Sequence, residues 1–253
     1  MENYEETART VFYIISLIAT SFIYLWAFMA INTKGYVTDE HIKMINIPEK
    51  EIRRCGGCKK PKPERSHHCS ICNKCILKFD HHCNFLSVCV NYFNQGYFVK
   101  FLLSFMSVTI CAIVSSYGII FYKAFVDNSL GSTSIVFASV VAVIASFLTF
   151  VLFVHLCVQI ENIVYNRTTV EKLDLEHYFP NEEGCVVNPY DFGFKYNTED
   201  VFGPLYYGGL YIPSGSGVIF DKKYEAYYFP LVTNRIYIDE SLRFDSQNTE
   251  ILL

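Results

Sequence analysis

Between Cys55 and Cys89 the chain places seven cysteines and four histidines, side chains that bind transition metals or act as nucleophiles and bases. Most fall into one spacing, C-x2-C-x9-H-x6-C, which occurs twice with an offset of fourteen residues. The first copy is Cys55, Cys58, His68 and Cys75; the second is Cys69, Cys72, His82 and Cys89. A third copy starting at Cys83 would need ligands at Leu86, Gly96 and Leu103, whose side chains cannot bind a metal. Two closed tetrahedral zinc sites take four N/S ligands each. That leaves His67, His81 and Cys83 unassigned. Pairing is less decided than composition, because Cys72 and Cys75 also form a C-x2-C; the fourteen-residue shift favours the two repeated sets.

The unassigned groups suggest a reaction. Asp80, His81, His82 and Cys83 are consecutive. With His82 on zinc, His81 is free to take the proton of a thiol, which makes the sulfur a strong nucleophile. Asp80 would fix the imidazole tautomer, completing a nucleophile, base and orienting acid. In the first copy Ser66 stands where Asp80 stands, so only the second carries the acid. Spacing alone leaves Cys83 as either a catalytic thiol or a spare, zinc-tuned cysteine. Adjacent residues on a strand face opposite ways, so Asp80 and His81 need a turn between them to meet.

These groups must be held by elements of a membrane protein. The chain of 253 residues is 51% hydrophobic and 17% aromatic, and three stretches explain both values. No charge occurs in 11–31, in 101–122, or in 128–160 with its apolar centre at 135–157. Each is long enough to cross about 30 Å of hydrocarbon as a helix. The first is too long, and follows too acidic a start, for a cleaved signal peptide. Lys and Arg number one in 1–10, twelve in 32–100, none in 124–134 and seven in 161–253. By the positive-inside rule, residues 1–10 are then lumenal, and the linker 32–54, the zinc domain 55–98 and the tail are cytosolic. A reducing cytosol favours zinc thiolates over disulfides. A net charge of −4 implies no nucleic-acid partner. The fold class is therefore an α-helical membrane protein with a small zinc-bound domain of hairpins and loops on the cytosolic face.

Cys83 precedes the second apolar stretch by eighteen residues. Its thiol therefore sits near the membrane, where it could accept a fatty acyl group, with Phe85, Phe98 and Phe101 as candidates to line the chain's path. Packing or an interfacial belt is the plainer reading of each aromatic. After the third stretch, Thr168 to Glu171 has the spacing of a capping box. Residues 188–203 alternate aromatics with turn residues, and the tail 204–253 shows no helical period. Cys111, Cys157 and Cys185 carry no motif.

The run from Cys55 to Phe98, C-x2-C-x9-H-C-x2-C-x2-C-x4-D-H-H-C-x5-C-x4-N-x3-F, resembles the cysteine-rich domain of the DHHC protein S-acyltransferases. Thr168-Thr169-Val170-Glu171 is similar to that family's TTxE motif, and 188–203 to its aromatic C-terminal motif. The resemblance implies two-step transfer. Cys83 takes an acyl group from a long-chain acyl-CoA, usually palmitoyl-CoA, and passes it to cysteines of membrane-associated proteins. His81 would be the base and Asp80 its partner, with two structural Zn²⁺ on the eight ligands. Thr168, Thr169 and Glu171 would support the site, Thr169 touching the Asp. Lys62, Arg65 and His67 would lie near the CoA phosphates. An endomembrane such as ER or Golgi, or the plasma membrane, is the expected location.

Two departures stand out. Asn84-Phe85 replaces the family's usual Pro-Trp, which bears on acyl chain length. One span precedes the zinc domain where the family usually has two, so either this is a compact member or the chain lacks its start; if the absent helix normally closes the acyl cavity, activity could require a partner subunit or a dimer. A membrane-anchored zinc adaptor and a RING ubiquitin ligase are the competing readings; neither needs Asp80, His81 and a free Cys83.

Overall fold

The computed structural model of the chain describes residues 2–45, 52–127, 133–178, 188, 190–204 and 215–221. Expectations for Cys185, for Pro189, for 46–51 of the linker, for 128–132 of the turn and for most of the tail beyond residue 204 lie outside the described residues.

Three long helices carry the apolar stretches: α1 (Glu2–Asn32), α3 (Gln95–Phe125) and α4 (Thr133–Val164), with a short α2 (Asp39–Lys43) in the linker. All three are long and apolar enough to cross a membrane, which marks an integral membrane protein. Much of their apolar surface faces outward, as at Phe28, Val114, Phe121, Phe137 and Val143. The helix α3 is central and packs against both α1 and α4. Each helix outruns its charge-free stretch. The first begins at Glu2, so the expected lumenal head is largely helical. The second begins six residues before Phe101 because Gln95 to Val99 are buried at the junction with the zinc domain. The third runs on to Val164 and carries buried Gln159 and Asn162. At 1.5 Å per residue, a 31-residue helix spans about 46 Å, more than a hydrocarbon core needs.

The zinc domain consists of two small antiparallel hairpins: β1 (His67–Cys69) with β2 (Lys74–Ile76), and β3 (His81–Cys83) with β4 (Val88–Val90). Their registers match under the sequence shift: His68 faces Cys75 and His82 faces Cys89, while Cys69 faces Lys74 and Cys83 faces Val88. The fourteen-residue repeat is therefore a repeat of structure.

Asparagines tie this domain to the first helix. The last carbonyls of a helix lack partners within it. Asn94 Nδ2 donates to Ala30 O at 3.0 Å and to Cys89 O at 3.0 Å, joining α1 to β4. Asn91 Nδ2 donates to Cys89 O at 2.9 Å. Gly35 leaves the room this needs: a Cβ there would lie 2.4 Å from Asn91 Oδ1. Trp26 stacks on Tyr97 with ring centroids 6.1 Å apart. Beyond α4 come α5 (Thr169–Tyr178) and α6 (Phe194–Phe202), the latter packed against α3 and α4.

Candidate active site and metal centres

The two predicted ligand sets come together. Cys55, Cys58, His68 and Cys75 form one group and Cys69, Cys72, His82 and Cys89 the other, with the ligand atoms of each within 4.8 Å of one another. Their edges suit a tetrahedral ion. Cys69, Cys72 and Cys89 Sγ lie 3.6, 3.5 and 3.5 Å from His82 Nδ1, and Cys72 Sγ lies 3.5 Å from Cys89 Sγ. A tetrahedron built on Zn–S of about 2.3 Å and Zn–N of about 2.0 Å has edges of about 3.5–3.8 Å. Cys58 and Cys75 Sγ are 3.5 Å apart, far beyond a disulfide bond of about 2.05 Å. His68 Nδ1 is buried without a hydrogen-bond partner, as a metal-binding nitrogen would be in the absence of its ion. The donor chemistry and these distances fit zinc in both groups. Each ion would bridge a turn to a hairpin.

The turns repeat three times, not twice. Cys72 N donates to Cys69 Sγ at 3.4 Å, and the amides two and three residues on lower all three thiols: Gly57 and Cys58 for Cys55, Ile71 and Cys72 for Cys69, Phe85 and Leu86 for Cys83. The fourth residue after each, Lys59, Asn73 and Ser87, has φ of 62°, 52° and 51°. Cys83 thus heads a third metal-binding type of turn whose other ligand positions are apolar or glycine. Its sulfur meets His81 instead of a metal.

Strand alternation separates the roles within β3. His82 points to the second metal group, while His81 and Cys83, two residues apart, share the opposite face. Asp80 precedes the strand, which supplies the turn that adjacent strand residues lack. His81 Nδ1 donates to Asp80 Oδ2 at 2.7 Å. Asp80 is 2% exposed. Burial alone would raise its carboxyl, but the His81 imidazole, the Thr169 amide and Gln159 hold it below the usual carboxylate range. Burial likewise opposes the charged form of His81, yet hydrogen bonds to Asp80 and Cys83 push it up to about 9. Burial raises the Cys83 thiol, and the His81 ring with the Leu86 and Phe85 amides more than offsets this and lowers it. The arrangement favours a thiolate–imidazolium pair.

The TTxE-like residues divide their work. Thr169 N donates to Asp80 Oδ1 at 2.6 Å. Thr168 and Glu171 form the expected capping box, with Thr168 N to Glu171 Oε2 at 2.8 Å and Glu171 N to Thr168 Oγ1 at 3.1 Å. Glu171 reaches the zinc domain rather than Asp80: Arg65 Nε and Nη2 each donate to its carboxylate at 2.8 Å.

These observations can be set beside known proteins. Residues 48–176, just over half of the chain, match the family described as DHHC palmitoyltransferase. The chain belongs to the DHHC palmitoyltransferase family. It is also 32% identical over 153 residues to palmitoyltransferase ZDHHC15 of Xenopus laevis, a stretch covering 60% of this chain and 44% of that relative. The chain thus spans less than half the length of the relative it matches.

Within this family frame, some expected contacts change. Arg65 was expected near CoA phosphates, but it is 3% exposed and committed to Glu171 and Asn166, between the rings of Tyr190 and Phe220. Its guanidinium faces the interior, so it is a clamp between domains. His67 is half-buried, and burial together with the charge of Lys62 pushes it down to about 4. It is neutral near pH 7 and offers no positive charge. Lys62 is half-exposed beside it. Of the aromatics, Phe98 is buried and meets His81 edge-on at 5.3 Å. Phe85 is 72% exposed and leans on Phe101 and Phe105, with centroids 6.0 and 6.1 Å away. The sequence reading missed Phe105, and also Gln159 and Asn162, whose amides reach Asp80 from α4. The one sequence signal for Gln159 is a polar side chain inside a charge-free stretch; Asn162, just past Glu161, has none.

Proposed function

We propose that the chain is a protein-cysteine S-acyltransferase that moves a long-chain fatty acyl group, palmitoyl first among them, from acyl-CoA to cysteines of membrane-associated proteins. The supporting observation is a buried Asp80 bonded to His81, with His81 and Cys83 on one face of β3 and the membrane helix α3 alongside. The Cys83 thiolate attacks the thioester carbonyl, forming a C–S bond as the bond to the CoA sulfur breaks. The departing CoA thiolate takes the proton held on His81. In the second step a substrate thiol gives its proton to His81 and attacks acyl-Cys83, and the freed Cys83 thiolate again faces the imidazolium. Asp80 fixes the tautomer and stabilises the cation throughout.

Zinc is the metal we assign to both Cys/His groups. It holds the hairpins in place, and a domain this small has little core without it. The Phe98, Phe101, Phe105 and Phe85 ladder lies where an acyl chain on Cys83 would enter the bilayer, and Lys62 remains a candidate contact for CoA phosphates. The zinc domain faces the cytosol, by the lysine and arginine count, in an ER, Golgi or plasma membrane.

The test is a hydroxylamine-sensitive label from an acyl-CoA probe, run beside metal analysis on purified protein. Cys83→Ser should lose the label and keep two metal ions. A label that survives the substitution, or a lost metal, would make Cys83 a bystander or a ligand. The adaptor reading would then replace this one.

A further inference from the structure

We propose that Gln159 and Asn162, near the cytosolic end of α4, are positioning residues that aim the His81–Cys83 pair through the Asp80 carboxylate; this rests on the acyl-transfer reading above. The two amides are 2% and 1% exposed and three residues apart, so they share one helix face. Gln159 Nε2 donates to Asp80 Oδ2 at 2.8 Å and Asn162 Nδ2 to Oδ1 at 3.1 Å. Each carboxylate oxygen therefore carries two donors: His81 and Gln159 on Oδ2, the Thr169 amide and Asn162 on Oδ1. With four bonds in place the carboxylate cannot turn about its own axis. The direction of Oδ2 sets the direction of the His81 ring, and with Nδ1 held by Asp80 the ring presents Nε2 to Cys83.

The amides are themselves oriented. Gln95 Nε2, in the first turn of α3, donates to Gln159 Oε1 at 3.2 Å. A primary amide has one acceptor oxygen, so this bond turns the Gln159 NH₂ toward Asp80. Asn162 Nδ2 also donates to Thr169 Oγ1 at 2.9 Å, fixing the first residue of α5 against the same carboxylate. Two buried amides in an apolar helix are costly unless bonded. A leucine or methionine would fill the same space without setting the carboxylate's direction. Membrane helices α3 and α4 thereby hold the acid that orients the base.

The test is a double-mutant cycle on the full chain in detergent. Gln159→Met and Asn162→Leu are each made alone and in an Asp80→Ala background, with Asp80→Asn replacing it should Asp80→Ala lose metal. Three readouts are taken: acyl-Cys83 formation at saturating palmitoyl-CoA, alkylation of Cys83 by iodoacetamide at fixed pH, and metal content. Each single variant should slow acylation and alkylation at least tenfold while keeping two metal ions. In the Asp80-substituted background the same change should matter less than twofold. Equal losses in both backgrounds, or no loss in the single variants, would overturn the proposal and leave the amides as packing. If the wild type takes no acyl group but alkylation follows the cycle, the acyl-transfer reading falls and the positioning role stands.

Discussion

Arg65 and Glu171 offer the sharpest test of how the zinc domain is fastened to the membrane helices. The pair is bidentate at 2.8 Å and both partners are buried. Arg65 also donates to Asn166 Oδ1 at 3.1 Å and Asn166 O at 2.8 Å, and its faces meet Tyr190 at 4.1 Å and Phe220 at 5.0 Å. Arg65→Met keeps much of the packing but strands the Glu171 carboxylate among apolar groups. Breaking one side of such a pair costs about 3–5 kcal/mol. Replacing both, as Arg65→Met with Glu171→Leu, removes the stranded charge. What remains lost is the capping contact to Thr168 and the two Arg65 bonds to Asn166, about 1 kcal/mol each. The double variant should therefore lie within about 3 kcal/mol of wild type and be more stable than Arg65→Met alone, which loses the Asn166 bonds and also strands the carboxylate.

Thermal unfolding in detergent, read together with metal release, measures this order. Metal release reports the zinc domain, where Arg65 resides, and the midpoint reports the whole. The pH dependence follows from the direction of the Glu171 shift. Burial alone would raise its carboxyl, and Arg65 holds it below the usual range. A depressed carboxylate contributes stability above its unfolded value of about 4.3 and loses it as pH falls below that. Wild type should thus lose stability more steeply than the double variant on acidification below about pH 5. A double variant as unstable as the sum of its singles would refute the reasoning, since the pair would then stabilise each partner independently.

The chain should bind two zinc ions, and His82→Ala should release one and disorder the β3–β4 hairpin, since ligand loss removes folding energy; elemental analysis returning fewer than two for wild type would contradict the ligand sets. A reporter joined at residue 1 should read lumenal and one joined at residue 253 cytosolic in a protease-protection assay; both on one side would mean a wrong span count. His81→Ala should keep both metals and slow acyl-Cys83 formation by about 10²-fold or more, because a positioned base contributes about that much. Acylation at the wild-type rate would remove His81 from the mechanism.

The parts legible in the sequence were those fixed by residue type and local spacing. Cysteine and histidine at set intervals left two metal groups and one spare thiol, and the three apolar stretches are helices. The helix ends were not legible, because charge counting ends a stretch where the membrane ends. Gln95 and Asn162 extend the helices into a protein interior that charge counting does not register. Arg65 was misplaced for a related reason. A positive residue beside a ligand motif looks available to an anion, while its actual partner, Glu171, lies 106 residues away. His67 looked cationic by type and is neutral by burial. Gln159 was hidden because an isolated amide within an apolar run has no spacing to mark it, and Asn162 because it follows Glu161, where that run has ended.

The repeated turn links structural and chemical roles of cysteine in one element. In the first two turns, amides from the following residues favour a thiolate that a bound metal would also hold. In the third, the same amides surround Cys83, while Leu86 occupies the place of the second cysteine. A metal there would close the sulfur to any carbonyl carbon. With Leu86, Gly96 and Leu103 at the other ligand positions, the sulfur keeps its amide donors and stays open to attack. In the proposed transfer, the charge a metal would have supplied comes from His81, which binds a proton reversibly. Reversibility is what two successive thiol exchanges require, since the proton must be stored in one step and returned in the other. On that proposal Asp80 serves only this turn, where an imidazole would carry charge; Ser66, its counterpart in the repeat, donates instead to Pro63 O at 2.6 Å and closes a loop.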